Sequence, residues 1–174
     1  MTAPLVDWNG ETPTVEPFQA GTKLIIGDLE VQSFTIPHDA ADPVGFTVSS
    51  QGLKFGLAMD LGYLPESVRF HLRGAQLLLL ESNHDLDMLK VGPYPWSVKQ
   101  RVMGRRGHLS NDLVCEFISQ DLDGVDTLIL GHLSEHNNHP EIVRMVAGSA
   151  LANRGVTTRL VVAEPRKSSG VFVY

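Results

Sequence analysis

The sequence predicts an α/β layered fold, on three observations. Short β-branched or apolar runs recur between Gly, Asp and Asn punctuation, three longer stretches carry helical spacing with caps, and strands come first with strand–helix–strand units after them. Strands are expected at KLIIGD (23–28), LEVQSFTI (29–36), GFTVSS (45–50), LKFGLAMD (53–60), AQLLLLES (75–82), VDTLILG (125–131), TRLVVAE (158–164) and GVFVY (170–174). Helices are expected at PESVRFHLRG (65–74), SNDLVCEFISQDL (110–122) and HPEIVRMVAGSALANRG (139–155). Pro65 suits the start of the first, Ser110 or Asn111 caps the second, and Gly155 closes the third. The first 20 residues, rich in Pro and Thr, read as irregular. No linker, internal repeat or low-complexity segment divides the 174 residues, so they are expected to form one domain or part of one.

Composition narrows the function. A hydrophobic content of 43% supplies a real core, and a net charge of −6 argues against diffuse binding of the whole chain to nucleic acid or acidic membranes. Any such contact must be local. Cys115 is the single cysteine and lies in the apolar helical pattern NDLVCEFI, which excludes an internal disulfide or a Cys-based zinc site and marks it as core. The start lacks the basic and apolar regions of a signal peptide, and no apolar run approaches membrane-spanning length. No membrane partner is expected, and a cytoplasmic location follows by default.

The chemistry gathers where strands end. SFTIP runs into His38, KFGLAM into Asp60, QLLLL into Glu81-Ser82-Asn83-His84-Asp85, and DTLILG into His132. Ligands of open α/β sheets bind beyond the carboxyl ends of strands, and neighbouring strands lie about 4.8 Å apart, so these side chains can converge. Imidazole and carboxylate suit zinc or a similar divalent ion. Singly, each has a plainer role as a hydrogen-bonded histidine or a turn-capping aspartate, but four at four strand ends favour a shared site. Asp39 and Asp42 fit the turn, because Asp42 precedes Pro43.

A local basic run follows. Between Met88 and Asn111 there is no acidic residue, while Lys90, Lys99, Arg101, Arg105 and Arg106 occur with Tyr94 and Trp96. Lys99, Arg101, Arg105 and Arg106 are therefore candidate contacts for a phosphodiester or single-stranded nucleic acid. The plainer reading is a solvated helix face for SVKQRVMGRR with the aromatics in the core. HLSEH (132–136) matches the H-x-x-E-H pattern of inverted zinc peptidases, through His132, Glu135 and His136, but that motif requires a helix. Asn137, Asn138 and Pro140 instead place the next helix after it.

The strings IPHDAADPVGF, AMDLGY, LLLLESNHD, GPYPWSVKQRV, RRGHLSN and LGHLSEHNN resemble, in order, the second half of the metallo-β-lactamase-fold hydrolases, most nearly the WalJ-like exonucleases and phosphodiesterases. The resemblance covers about residues 15–155. It implies a metallo-β-lactamase-type αβ/βα sandwich with two divalent ions, zinc or else manganese, at one rim. His38 resembles a ligand of the first ion, Asp60 the aspartate shared by both, and His132 a ligand of the second. The chemistry implied for the complete protein is phosphodiester hydrolysis by a hydroxide bridging two metals. Asp60 is then catalytic as well as a ligand, and His108 is a candidate proton donor or phosphate contact. His108 also fits as the residue before a helix cap. Asn83 and His84 are candidates to support the site, with His84 a possible catalytic group, or else Asn83 starts a helix over HDLDMLK. Ser134 and Asn137 are candidate substrate contacts.

The family's His-x-His-x-Asp-His motif occurs nowhere in the sequence. Residues 1–174 are therefore expected to be the carboxyl-terminal portion of one such domain, weakly active or inactive alone, for want of the usual three or more protein ligands per zinc. The alternatives are a non-catalytic remnant, or a subunit that pairs with a separate first half or with its own copy.

Overall fold

Seven strands and five helices form over residues 17–174, which the computed structural model describes. Strands β1 (Lys23–Ile26), β2 (Leu29–Thr35), β3 (Val44–Ser50) and β4 (Leu53–Ala58) make an antiparallel meander. From β4 onward the sheet turns parallel through β5 (Leu77–Glu81), β6 (Thr127–Gly131) and β7 (Arg159–Val162), in simple order β1 to β7. The β3–β4 hairpin closes on Gln51 and Gly52, both at positive φ (50° and 84°), as a two-residue turn that follows the strand twist requires. Because β3 alone separates β2 from β4 and reverses direction twice, β2, β4, β5 and β6 all end at one edge of the sheet.

Helices α1 (Glu66–Leu72), α4 (Asn111–Asp121) and α5 (Pro140–Arg154) take the three expected stretches, shortened at their ends. Ser110 caps α4 by accepting the Leu113 N–H, and Gly155 closes α5 at φ 73°. Two further short helices lie between β5 and α4: α2 (Leu86–Val91), capped by Asp85 rather than Asn83, and α3 (Trp96–Val102). The expected strand GVFVY does not form; residues 170–174 are irregular, and β7 ends the sheet. The irregular start expected over the first 20 residues lies mostly outside the described residues.

The core follows from the period-two alternation of the parallel strands. Leu78, Leu80, Leu128 and Leu130 are fully buried and pack with Val114, Phe117 and Ile118 of α4 and Val143 and Ala147 of α5. Burying each such leucine contributes about 1.5–3 kcal/mol. Cys115 is partly buried against this cluster, at its margin rather than inside it, and burial pushes its thiol pKa up. On the opposite face Val48, Phe55 and Leu77 line a cavity of 340 Å³ with Tyr174. No helix among the described residues is long and apolar enough to cross a membrane.

Candidate active site

The shared edge of β2, β4, β5 and β6 carries the site. Two residues after β4 the chain turns at Asp60 (φ 58°), and directly after β6 it turns at His132 (φ 59°). Left-handed backbone at residues other than glycine costs about 1–3 kcal/mol and persists where surrounding structure fixes it, commonly at functional positions. Here Asn83 fixes one of them: its Nδ2 donates to the His132 carbonyl at 2.9 Å.

Between these two turns stands Glu81, the last residue of β5 and fully buried. A buried carboxylate is stable only when its oxygens are matched by donors. Glu81 Oε2 accepts the Leu61 and Leu109 N–H groups at 2.9 and 3.1 Å. Its Oε1 takes the Nδ1 atoms of His108 and His132 at 2.7 and 2.6 Å. Burial alone would raise the Glu81 pKa, but the hydrogen bonds from His108, His132 and Leu61 outweigh it and bring it down to about 2. The same contact raises the pKa of His132 against the opposing effect of its burial. Since a carboxylate only accepts, both Nδ1 atoms carry protons, and the Nε2 atoms of the neutral rings are left with lone pairs.

Asp60 Oδ1 faces the same two Nδ1 atoms, at 3.3 Å (His132) and 3.5 Å (His108). Ligand atoms of Asp60, Glu81, His108 and His132 all lie within 4.8 Å of one another. A third ring continues the row: His38 lies 5.2 Å from His108, centroid to centroid, and His108 lies 5.3 Å from His132. His38 Nδ1 is 3.0 Å from the Gly107 carbonyl, to which it can donate, which again leaves Nε2 unprotonated in the neutral ring. This donor set, imidazoles oriented by a carboxylate or a carbonyl beside a partly exposed aspartate, fits divalent metal ions. Asp60, His108, His132, Ser134 and Tyr94 line a cavity of 430 Å³, within the range of small-molecule sites, about 300–1,000 Å³.

No known family model matches the sequence. Over 149 residues the chain is 36% identical to exodeoxyribonuclease YycJ of Bacillus anthracis, a match covering 84% of this chain and 56% of that protein. It is 34% identical over 136 residues to exodeoxyribonuclease WalJ of Streptococcus pneumoniae, covering 78% of this chain and 51% of that one. Among solved structures, the metallo-β-lactamase fold protein YhfI from Bacillus subtilis superposes with a TM-score of 0.60 at 16% identity, over 84% of this chain and 50% of YhfI. Igni18, a metallo hydrolase from the archaeon Ignicoccus hospitalis, gives 0.57 at 15% identity, over 85% of this chain and 57% of Igni18. The chain has the metallo-β-lactamase fold. The likeness to WalJ-type proteins expected from the motifs holds, and the chain spans about half the length of the curated relatives it matches.

Within this metallo-β-lactamase-type sheet the remaining expected site residues divide. Ser134 lines the cavity. Arg105 and Arg106 line a neighbouring cavity with His38. Arg101 is exposed but pairs with Asp39 at 2.5 Å, which lowers the Asp39 pKa by that hydrogen bond and answers the Arg101 charge locally. Lys99 is not on a solvated helix face: it is buried, its Nζ donating to the Lys90 carbonyl at 2.6 Å. Asn137 is likewise buried, its backbone N–H and side-chain Nδ2 both donating to Ser134 Oγ. His84 is 1% exposed and lies behind the cavity wall, with both ring nitrogens unpaired. Burial drives its pKa down to about 4, so it stays neutral. Residues 132–136 form no helix, which removes the basis of the peptidase reading of His132, Glu135 and His136.

Glu81 is the site residue that motif reasoning passed over as an actor. Its signal was present: a carboxylate ending the run LLLL without a turn residue to excuse it.

Proposed function

We propose that the chain carries one side of a metal-dependent phosphodiesterase site that acts on nucleic acid, DNA in the first place. The observation that supports it best is the single buried carboxylate, Glu81, which holds two imidazoles with their Nδ1 protons inward beside Asp60. The exodeoxyribonuclease names of the relatives supply the substrate class. In this reading His38, Asp60 and His132 hold two divalent ions, zinc or manganese. When bound, such ions supply a water of lowered pKa and offset the charge of the phosphoryl oxygens. Glu81 fixes the tautomer and tilt of His132. It also keeps His108 oriented at the cavity wall, where a protonated His108 donates to the leaving oxygen. Ser134, lining the same cavity, contacts the substrate.

In the same reading residues 1–174 are the carboxyl-terminal portion of a longer domain. The half-buried apolar face around Val48, Phe55 and Leu77 then receives the rest of the sandwich, and further metal ligands come from there. Calorimetric titration with Zn²⁺ and Mn²⁺, alongside hydrolysis of single-stranded DNA, double-stranded DNA and a small phosphodiester, tests the proposal. Metal binding that is lost in Asp60→Asn and His132→Ala supports it. Unchanged binding in both variants, or hydrolysis unaffected by chelation, overturns it.

A further inference from the structure

A second cavity, of 600 Å³, opens on the far side of His38, and its chemistry differs from that of the first. Its charged wall is Arg105 and Arg106; the rest is Tyr63, His38, Thr35 and apolar side chains of residues 36–43, and no carboxylate lines it. Neither arginine has a carboxylate partner among the described residues, whereas Arg69, Arg73, Arg101, Arg144 and Arg154 each have one. In a chain of net charge −6, two adjacent unanswered guanidinium groups at a cavity are the feature to explain.

Their backbone is also held still. Gly62 allows the 104–106 turn to close on the loop after β4: a Cβ there would lie 2.4 Å from the Arg105 carbonyl carbon. The Arg106 carbonyl accepts the Asp39 N–H at 3.1 Å, and the Gly107 carbonyl meets His38 Nδ1 at 3.0 Å. The Arg105 guanidinium lies over the Tyr63 ring, 4.2 Å from its centroid, giving a flat cationic platform. Preorganised charge beside a stacking surface is what a single-stranded polynucleotide recognises: phosphate by charge, base by stacking.

We propose that the cavity of Tyr63, Arg105 and Arg106 is a strand-binding subsite that holds the nucleotides flanking the phosphate placed at the His108–His132 cavity. The inference rests on the nucleic-acid reading above and deepens it by assigning where the strand runs: across the ring row His38, His108, His132, from one cavity into the other. It adds Tyr63, the last residue of the string AMDLGY, to which the sequence alone gave no role. Arg105 and Tyr63 stack a base, and Arg106 contacts a phosphate. A single phosphodiester unit fills the first cavity alone and has no use for the second.

The test is binding, measured without divalent metal so that no cleavage intervenes. Fluorescence anisotropy follows a labelled single-stranded oligonucleotide over a series of salt concentrations, with circular dichroism confirming the fold of each variant. Arg106→Ala is expected to flatten the slope of log affinity against log salt by about 0.7, the share of one phosphate contact on a single strand. Arg105→Lys keeps the charge and loses the plane. It is expected to leave the slope unchanged and weaken binding about 5-fold or more, the lower end of a lost stacking contact. Folded variants with wild-type affinity and slope overturn the subsite. So does competition by inorganic phosphate as effective as by oligonucleotide, which reduces the cavity to a simple anion site. Calorimetric titration of the wild-type chain with Zn²⁺ reports separately on the phosphodiesterase reading. Absence of Zn²⁺ binding there speaks against that reading and leaves the oligonucleotide result to stand separately.

Discussion

Replacing Glu81 by glutamine separates its part in the fold from its part in the site. The carboxylate accepts four hydrogen bonds, two from buried backbone amides and two from imidazoles. Glutamine offers one oxygen. Leu61 and Leu109 are fully buried, so their N–H groups have no water to turn to, and the amide oxygen takes the place of Oε2. The NH2 group then faces the two Nδ1 atoms, where donor meets donor. Both rings relieve this by moving the proton to Nε2, so that Nδ1 accepts. Hydrogen bonds to a charged group contribute about 1.5–3 kcal/mol each and neutral ones about 0.5–1.5, so turning all four neutral costs up to about 4–6 kcal/mol, less the burial penalty of the charge that is removed. A domain with the usual stability, about 5–15 kcal/mol, stays folded. Metal affinity suffers more, because the Nε2 lone pairs are gone; loss of an orienting carboxylate typically costs about 10–100-fold. Long-range ¹⁵N–¹H spectra of the histidine rings report the tautomer, urea unfolding the stability, and calorimetry with Zn²⁺ the affinity. Rings that keep Nδ1–H in Glu81→Gln with unchanged zinc affinity would refute the role assigned to Glu81.

Three further perturbations have definite signs. His84 is neutral in the fold down to about pH 4 while the unfolded chain binds its proton near pH 6.5. Its contribution therefore lowers stability as pH falls from about 6.5 to about 4, by roughly 3 kcal/mol in full, and is absent above 6.5. His84→Leu removes two unpaired buried nitrogens and should be neutral or stabilising at pH 7 while flattening that acid slope, as urea midpoints at pH 7 and 5 will show. Gly62→Ala drives a Cβ to within 2.4 Å of the Arg105 and Gly104 backbone and should cost about 1–3 kcal/mol in denaturant unfolding. Ser110→Ala deletes the acceptor of the Leu113 N–H at the start of α4 and should cost about 1 kcal/mol in the same assay.

The parallel part of the fold was legible because its strands are apolar on both faces and its helices are capped by side chains with one obvious use. LLLL and LILG need burial on both sides, and Ser110 and Gly155 punctuate α4 and α5 where the sequence says they should. Less legible were α2 and α3. HDLDMLK and SVKQRVMGRR each allow a helix, but each helix is under eight residues long, and Gly92, Pro93 and Pro95 interrupt the periodicity between them. GVFVY misled for the opposite reason. Its composition suits a strand, but β7 offers it no ladder, and Phe172 instead lies under the Arg159 guanidinium at 5.4 Å.

Site residues obeyed a different rule from fold residues. Asp60 and His132 could be placed from strand order alone, since parallel strands deliver whatever follows them to one edge. Charge could not be placed that way. The basic stretch from Lys90 to Arg106 reads as one patch, yet Lys99 is buried on the Lys90 carbonyl, Arg101 is paired with Asp39, and Arg105 and Arg106 face a cavity. A lysine carries a four-carbon stem that can be buried while its ammonium finds a carbonyl, so sequence position does not reveal which cations remain for a ligand. Glu81 shows the converse. Carboxylates are almost never fully buried without partners, so a glutamate ending an apolar central strand implies that donors converge on it. In this chain the converging donors are the Leu61 and Leu109 amides and the two histidines at the rim, so the buried charge that the fold has to satisfy is the same group that orients His108 and His132.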